Sequence, residues 1–312
     1  MSVQFKNEYQ NLINKINEFE LIIIAKHVMP DWDAQGSAEG LKLIIEENFK
    51  NKKVFIVGSK IESEPYDFKL TEDEIKKSIL LTVDVANKAR IDFDKLDLVK
   101  EIFKIDHHKY DVHDFGDNFL VDPQSIACTQ VVTIWADEMN LRITKEAAEF
   151  LYRGLLTDSG RFLFKNTSAE TFEAAKILLS TGIDITKISD DLYLTDLNLK
   201  KWLQKISENV IYNEKKEYAY LCVKKNDYYG IINIEAAKSA LSIMSGTKEI
   251  STWFLAYENE NGIVKVSFRS RKKDVSLIAK KYGGGGHTLA AACEIGTWDN
   301  FNKELNNILK GV

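Results

Sequence analysis

Four short runs of aliphatic residues, separated by stretches of helical character, constrain the fold of this chain more than any other feature. They occur before about residue 165 and read ELIIIAKHV, KVFIVGS, SILLTVDVA and EIFKID. Strands that are apolar along their whole length are typical of a parallel sheet, because the crossover helices bury both of its faces. We therefore predict an α/β fold for this part of the chain.

A different strand pattern begins at about residue 215. The runs YAYLCVKK, STWFLAYENENGIVKVSFRSR and LAAACEIG alternate in polarity, which predicts a second, smaller α+β domain. A length of 312 residues also favours two domains over one hydrophobic core. We place the first domain at residues 1–185, a helical connector at 186–213 and the second domain at 214–312.

Composition and local pattern exclude several classes of protein. Apolar residues make up 45% of the chain and charged residues 29%, as in soluble globular proteins. No apolar run approaches the roughly 20 residues that a membrane helix needs, and the first twenty residues form an amphipathic pattern rather than a secretory signal. Three dispersed cysteines in apolar surroundings, Cys128, Cys222 and Cys293, indicate a reducing compartment. We expect a cytoplasmic protein without a membrane partner.

Charge is distributed unevenly along the chain. Residues 1–214 contain 27 basic and 37 acidic side chains, whereas residues 215–312 contain 15 basic and 10 acidic ones. An acidic half suits a divalent cation, and a basic half suits a phosphorylated ligand, although both could be ordinary surface.

Acidic and imidazole side chains gather where the predicted strands end. They are His27, Asp31 and Asp33 after the first strand, Asp84 after the third, and Asp106, His107 and His108 after the fourth. In open α/β sheets ligands bind outside the carboxyl ends of the strands, so these segments should meet in one crevice. A further segment, GLLTDSGRF, adds Asp158 after a helical run.

So many carboxylates in one crevice predict a metal centre. Their motifs contain no lysine that we expect to compensate them, and unpaired carboxylates repel one another strongly where the dielectric is low. Oxygen and imidazole ligands without thiolate favour Mn, Mg, Fe or Zn. Six ligands exceed the needs of one open catalytic ion, which indicates two ions about 3.5–4 Å apart that share a carboxylate.

The same segments resemble a known family. HVMPDWDAQGS, VDVAN, IDHHKY and TDSGRF resemble the four motifs of the DHH phosphoesterase family, in that order. FRSR and GGGGHTLAAA resemble its associated C-terminal domain, as found in bacterial enzymes that hydrolyse very short RNAs and 3'-phosphoadenosine 5'-phosphate (pAp). The resemblance covers almost the whole chain and implies a Rossmann-like metal-binding domain followed by a substrate-binding domain.

The resemblance also implies a role for each residue of the motifs. One metal ion would be held by His27 and Asp31, the other by Asp33, His107 and Asp158, and Asp84 would bridge the two. His108 would face the substrate phosphate, as a ligand to its oxygens or as a proton donor to the leaving group. Asp106 would orient the neighbouring histidine.

In the second domain the resemblance implies a substrate grip in a cleft between the domains. Its residues would be Arg269, Arg271, Gly284, Gly285, Gly286 and His287. Glycines allow backbone amides to approach a phosphate, and a guanidinium can bind phosphate through two parallel hydrogen bonds. Whether Arg161 and Arg271 contact substrate is left open. His113 lies outside the motifs and is assigned to the surface.

Taken singly, some of these residues have simpler explanations. Asp31 could be a helix N-cap and Asp158 a turn residue, and the charge run RSRKKD could be a solvated face. The combination favours a site.

We therefore expect a Mn²⁺-dependent phosphoesterase, with Mg²⁺ or another divalent ion as the alternative metal. Its substrates would be oligoribonucleotides a few units long, hydrolysed to nucleoside monophosphates, and pAp, hydrolysed to AMP; no stable complex with duplex nucleic acid is expected. The alternatives are a phosphodiesterase for linear dinucleotides such as pApA and a non-catalytic nucleotide-binding or RNA-binding module. The sequence allows a homodimer but does not determine the oligomeric state.

Overall fold

The computed structural model of the chain describes residues 5–61, 63–109 and 114–312, apart from the side chain of His287. His113 lies outside the described residues. The chain divides into two compact units, Met1–Tyr193 and Leu194–Val312. Each unit contains its own sheet.

The described part of the first unit is built on a five-stranded parallel sheet. Its strands are β1 (Leu21–Ala25), β2 (Lys53–Ile56), β3 (Ile79–Val83), β4 (Glu101–Asp106) and β5 (Asn118–Val121). They are arranged in the order β2-β1-β3-β4-β5, and every neighbouring pair is parallel. All five strands therefore end at the same edge, and this confirms the predicted α/β class.

Helices cover both faces of this sheet together with the loops. They are α1 (Lys6–Glu18), α2 (Trp32–Asn48), α3 (Glu72–Ile75), α4 (Cys128–Glu138), α5 (Lys145–Asp158), α6 (Ala169–Ser180) and α7 (Ile185–Tyr193), with short 3-10 turns at Lys88–Arg90 and Leu96–Leu98. Alternate residues of β1 enter opposite cores: Ile22 and Ile24 pack with helices on one side, and Ile23 packs on the other. Burial on both faces explains why the strands are apolar throughout.

The second unit contains a six-stranded mixed sheet, counted over its described residues. Its elements are α8 (Leu197–Ile206), β6 (Ile211–Asn213), β7 (Tyr218–Val223), α9 (Lys225–Tyr228), α10 (Ile234–Lys238), β8 (Thr252–Glu258), β9 (Val264–Ser270), α11 (Ser276–Lys281), β10 (Gly285–His287), β11 (Ala290–Gly296) and α12 (Trp298–Gly311), with 3-10 helices at Ser207–Asn209, Glu214–Lys216 and Ser239–Met244. The strand order is β10-β11-β9-β8-β7-β6, in which only the β7–β8 pair is parallel among the described strands. This confirms the predicted α+β character.

The stretch 186–213, predicted as a connector, is divided between the two units. Helix α7 belongs to the first unit, where its Ile188 enters the core. Helix α8 belongs to the second unit, where Trp202 and Ile206 are buried against the sheet. Both helices are amphipathic, and the apolar face of α7 packs into one core whereas that of α8 packs into another.

Two further expectations concern the cysteines and the membrane. All three thiols are free; Cys128 and Cys293 are buried, whereas Cys222 is only half-buried. In the described ranges of the chain, no helix combines the length and the apolar character that crossing a bilayer would require.

Candidate metal centre

The loop after β1 delivers the first polar groups. His27 lies two residues beyond the strand, and Asp31 caps helix α2. Asp31 Oδ1 accepts hydrogen bonds from the backbone N–H groups of Asp33 and Ala34 at 3.1 and 3.0 Å. Its other oxygen, Oδ2, faces His27 Nε2 at 3.7 Å. The N-cap role therefore occupies one oxygen and leaves the second for the site.

Asp33, in the first turn of α2, is fixed by the start of α4. Its Oδ2 accepts a hydrogen bond from the backbone N–H of Cys128 at 2.6 Å. Its Oδ1 accepts from the N–H and the hydroxyl of Thr129 at 2.9 and 2.7 Å. A helix N-terminus is a favourable place for an anion, since its first N–H groups have no partner within the helix. Asp33 is thus held in one orientation by a segment 95 residues away in sequence.

Asp84 occupies the middle of the site. It follows β3 directly, is 3% exposed and has a left-handed backbone with φ of 57°. Its two oxygens face different histidines: Oδ2 lies 3.5 Å from His27 Nε2 and Oδ1 lies 3.4 Å from His107 Nε2. A left-handed conformation is uncommon outside glycine, although Asp and Asn tolerate it best, and such positions cluster at functional sites.

The end of β4 supplies two imidazoles and their support. Asp106 Oδ1 accepts hydrogen bonds from the backbone N–H of His107 at 2.8 Å and from His108 Nδ1 at 2.8 Å. Its Oδ2 lies 3.6 Å from the ammonium group of Lys104, which is almost fully buried. Contrary to the expectation that no lysine compensates these carboxylates, Lys104 balances Asp106. Two residues apart on one strand, they lie on the same face of the sheet.

Asp158 reaches the site from the last turn of helix α5. Its Oδ2 lies 3.8 Å from His107 Nε2. Helices α2 and α5 pack closely because glycines lie between them: a Cβ on Gly36 would be 2.4 Å from the carbonyl oxygen of Phe150, and one on Gly154 would be 2.9 Å from Cα of Asp33. The close approach brings the start of α2 and the end of α5 together.

All six predicted metal-binding residues are therefore neighbours. Among the described residues, three sets of ligand atoms lie within 4.8 Å of one another: His27 with Asp31 and Asp84, Asp33 with His107 and Asp158, and Asp84 with His107 and His108. Asp84 and His107 each belong to two sets. Their role as ligands stays a prediction, but the spatial arrangement matches two adjacent cation sites joined by Asp84.

Four groups at the site have raised pKa values, and a bound cation would lower these pKa values again. Burial, together with the charge of Asp84, raises the pKa of Asp33 to about 7. Burial and the charges of Asp33 and Asp84 raise the pKa of Asp158 to about 8. Burial lowers the pKa of His27, but hydrogen bonds to Asp31 and Asp84 raise it by more than burial lowers it. The resulting pKa of His27 is about 10. The pKa of His107 is likewise raised to about 10 by neighbouring carboxylates against the effect of burial.

The donor set fits divalent cations. Asp84 Oδ1 is buried and accepts no hydrogen bond from any residue that the structure describes. A buried carboxylate oxygen without a donor is costly unless a cation satisfies it. Protons on Asp33 and Asp158 relieve the crowding of charge only partly, whereas two dipositive ions would neutralise all four carboxylates, Asp31 and Asp84 included.

Comparison with known proteins assigns the family. The family model described as "DHH family, N-terminal domain" matches residues 21–155, and the "DHHA1 domain" model matches residues 216–311. A Bacillus subtilis protein called "Bifunctional oligoribonuclease and PAP phosphatase NrnA" is 30% identical over 305 residues, which cover 95% of this chain and 96% of that protein. The chain belongs to the DHH family. The resemblance seen in the motifs is confirmed.

Two solved structures share the fold. An exopolyphosphatase-related protein from Bacteroides fragilis superposes with a TM-score of 0.87 at 22% identity, covering 99% of this chain and 97% of that one. RecJ from Thermus thermophilus, described in complex with Mn²⁺, gives a TM-score of 0.56 at 12% identity and covers 99% of this chain and 55% of that one. At these identities the likeness concerns the fold alone.

The two arginines predicted to grip substrate have different surroundings in the DHHA1 domain. Arg269, in β9, donates a hydrogen bond to the neighbouring carbonyl of Phe268 at 2.9 Å, and burial lowers the pKa of its guanidinium. Arg271 donates to the backbone carbonyls of Thr247 and Ile250. The guanidinium of Arg271 is therefore already engaged in holding a loop, and its assignment to substrate stays a prediction.

The glycine run has a packing role in the same domain. It follows the C-terminal end of α11, and its last two residues begin β10, which pairs with β11. A Cβ on Gly284 would lie 2.2 Å from the carbonyl oxygen of Ala292, and one on Gly286 would lie 2.5 Å from that of Ala290. Gly285 has open space around it. Close strand packing accounts for two of the three predicted glycines, and Gly285 is left as the one free to approach a ligand.

Four groups at the candidate metal centre were not foreseen from sequence. They are the backbone amides of Cys128 and Thr129, the carbonyl of Ser125, which lies 3.3 Å from His107 Nδ1, and Arg90, whose Nη2 lies 3.3 Å from His27 Nδ1. Backbone groups leave no signal in a residue pattern. For Arg90 the sequence contains a weak signal, because this basic residue lies six positions after Asp84 among motifs that are otherwise acidic. The guanidinium of Arg161 lies over the ring of Tyr193, 5.2 Å from its centroid. This contact gives Arg161 a partner within the first unit, and whether it also contacts substrate stays open.

Substitution of Gly36 by alanine tests the packing that forms the site. The added methyl group would meet the backbone oxygen of Phe150, which cannot move without shifting α5, so we expect a loss of about 1–3 kcal/mol in the free energy of unfolding. Chemical denaturation measures this. Lys42→Ala on the partly exposed side of α2 is the control and should cost less than about 0.5 kcal/mol. Equal stability of the two variants would contradict the close approach of α2 and α5.

Proposed function

We propose that this DHH protein is a cytoplasmic, divalent-metal-dependent phosphoesterase. It hydrolyses oligoribonucleotides a few units long to nucleoside monophosphates and also converts pAp to AMP. The observation that carries this proposal is the position of Asp84, whose two oxygens face His27 and His107 at 3.5 and 3.4 Å. The substrates are supported by the name of the Bacillus subtilis relative, a bifunctional oligoribonuclease and PAP phosphatase.

Two Mn²⁺ ions are proposed as the resident cofactor. The donors are carboxylate oxygens and imidazole nitrogens, which suit Mn²⁺ and Mg²⁺, and the RecJ structure of the same fold is described with Mn²⁺. We assign His27 and Asp31 to one ion, Asp33, His107 and Asp158 to the other, and Asp84 to both. When bound, such ions supply Lewis-acid stabilisation of phosphoryl oxygens and make a nearby water more acidic.

Side chains beside that centre orient one another and provide a site for proton transfer. Asp106 accepts from His108 Nδ1 at 2.8 Å, so the proton of His108 Nδ1 is fixed and its Nε2 is the atom presented to a substrate. We assign His108 to the reacting phosphate, where Nε2 contacts its oxygens or donates a proton to the leaving oxygen. Asp106 is in turn balanced by Lys104.

The functional division of the chain follows from these assignments. Residues 1–185 carry the metal-binding side chains, and residues 214–312 bind the remainder of the nucleotide. We assign Arg269, Gly285 and His287 to that second task, with Arg271, Gly284 and Gly286 supporting the same surface. The excess of basic side chains in residues 215–312 is consistent with a phosphorylated ligand.

A substrate panel with Mn²⁺ or Mg²⁺ tests the proposal. We expect release of AMP from di- to pentanucleotides of adenylate and of phosphate from pAp, faster with Mn²⁺ and absent after chelation. A long single-stranded RNA and a duplex are the controls and should be cleaved far more slowly. Turnover confined to pApA would favour the linear-dinucleotide phosphodiesterase, and nucleotide binding without any release of product would identify a binding module.

A further inference from the structure

Arg90 is a cationic side chain at the edge of the metal centre. It ends the 3-10 turn Lys88–Arg90 and is exposed to solvent, and its guanidinium Nη2 lies 3.3 Å from the ring nitrogen Nδ1 of His27. The family motifs and the metal ligands leave this residue without a role. Its position therefore needs a separate explanation.

The backbone of Arg90 is tied to the loop that carries His27. The carbonyl of Arg90 accepts a hydrogen bond from the N–H of Val28 at 2.9 Å, and Ile91 forms an isolated bridge with His27. The N–H of Arg90 donates to the carbonyl of Asn87 at 3.1 Å. These bonds hold the turn after β3 against the loop after β1, and they keep Arg90, a residue exposed to solvent, beside His27.

The contact with His27 does not satisfy the guanidinium. His27 Nδ1 lies 2.9 Å from the carbonyl of Val28, and its Nε2 faces Asp31 and Asp84. With Nε2 directed at the site, Nδ1 carries the proton and donates it to Val28. A guanidinium has only N–H donors, so Arg90 and His27 Nδ1 present two donors to each other. At this exposed position water accepts from the guanidinium, and an anionic ligand could replace that water.

Charge balance indicates which acceptor. Four carboxylates, Asp31, Asp33, Asp84 and Asp158, would be neutralised by two divalent ions. Among the side chains of the first unit assigned above, only His108 would then face the charge of a phosphate ester and the further charge that develops during hydrolysis. Lys104 is engaged with Asp106.

Two other arginines of the first unit have partners of their own. Arg153 forms an ion pair with Asp191 at 2.7 Å, and Arg161 lies over the ring of Tyr193. Arg90, by contrast, contacts His27, a predicted metal ligand, and therefore lies at the site.

We propose that Arg90 is a catalytic residue that binds a non-bridging oxygen of the reacting phosphate. In the reaction a water oxygen forms a bond to phosphorus and the bond from phosphorus to the leaving ribose oxygen breaks. The water gives up one proton and the leaving oxygen gains one, so the number of protons is unchanged overall. Arg90 stabilises the negative charge that builds up on the phosphoryl oxygens, where a guanidinium forms strong charge-assisted hydrogen bonds. The inference rests on the proposed function and extends it by one residue.

The experiment compares Arg90→Met with Arg90→Lys and with the control Arg142→Met. Arg142 is an exposed arginine of the same unit, paired with Glu47 away from the predicted ligands. For Arg90→Met we expect kcat to fall by about 10²-fold, with partial recovery in Arg90→Lys and in Arg90→Met supplied with guanidinium chloride. Calorimetry should show unchanged Mn²⁺ binding and roughly tenfold weaker binding of inorganic phosphate to the Mn²⁺-loaded protein. Arg142→Met should match the wild type in every measurement.

Two results would overturn the assignment. One is turnover and phosphate binding by Arg90→Met within twofold to threefold of the wild type. The other is a loss of Mn²⁺ binding that parallels the loss of turnover, which would make Arg90 a support for His27. If the wild type hydrolyses no substrate of the panel, the proposed function fails, and the phosphate-binding comparison alone decides the role of Arg90.

Discussion

Asp84→Asn is expected to reduce turnover by about 10³-fold or more and to leave the fold intact. Asparagine has the same shape as aspartate and tolerates the left-handed backbone, φ 57°, that this position adopts. It lacks the charge, however, and replaces one of the two oxygens that face His27 and His107 by an amide donor. We therefore expect the purified variant to bind at most one Mn²⁺ ion tightly.

Turnover, Mn²⁺ stoichiometry and thermal unfolding of this variant are measured together. Asp137→Asn, at an exposed position of α4, is the matched control and should behave as the wild type. Without metal, Asp84→Asn should unfold at the same temperature as the wild type or higher, because one of several mutually repelling carboxylates is gone. Full activity, or an unchanged stoichiometry of two ions, would disprove the bridging assignment.

Mn²⁺ is expected to stabilise the protein strongly, and more so as the pH rises. The folded, ion-free site holds protons that the unfolded chain would release, since the pKa values of Asp33 and Asp158 are raised to about 7 and about 8 and those of His27 and His107 to about 10. Each cation that binds must displace such protons. Affinity for Mn²⁺ should therefore increase from about pH 6 to about pH 8.5.

The sign of the pH effect on the ion-free protein follows from the same values. Because each folded pKa lies above its unfolded value, each group contributes stability at low pH that is lost as the pH rises. For the two carboxyls the loss occurs between about pH 4 and pH 8, and for the two imidazoles between about pH 6.5 and pH 10. The ion-free protein should thus melt at lower temperature as the solution becomes more alkaline.

Differential scanning calorimetry with and without Mn²⁺ checks this expectation. Ligand at a hundredfold excess over Kd adds about 2.7 kcal/mol for one site, which corresponds to several degrees in Tm for the first unit. Titration calorimetry in buffers of different ionisation heat should show release of at least one proton near neutral pH. Asp84→Asn is the comparison variant and should gain less from Mn²⁺ than the wild type. A gain in Tm that is independent of pH, or no proton release, would contradict the protonation pattern described here.

The parallel sheet was foreseeable because its signal is local. A strand buried on both faces must be apolar at every position, and the runs around Ile22, Leu80 and Phe103 show this directly. The chain segment from 186 to 213 was harder to assign. Its helices are amphipathic in both cases, but a residue pattern does not say which core an apolar face will enter, and α7 and α8 enter different ones.

The clustering of the predicted metal ligands was foreseeable for a topological reason. Parallel strands end at one edge of the sheet, so a His or Asp placed just after β1, β3 or β4 must be near the others wherever the helices pack. For His27, Asp84 and His107, the position just after a strand was therefore enough to predict that their side chains lie close together. Topology leaves the role of each residue open, and the roles that the family resemblance implies stay predictions.

Residue order alone therefore established the parallel sheet and the edge at which the acidic and imidazole groups meet, and it predicted a cation site there. Tertiary packing assigned the rest: the amides of α4 that hold Asp33, the burial of Lys104 beside Asp106, and the approach of Arg90 to His27. The contacts of Asp33 and Arg90 join segments 63 to 96 residues apart. Their energies depend on distances and burial that exist only once the helices have closed on the sheet, because a charge or an N–H group in the unfolded chain is satisfied equally well by water.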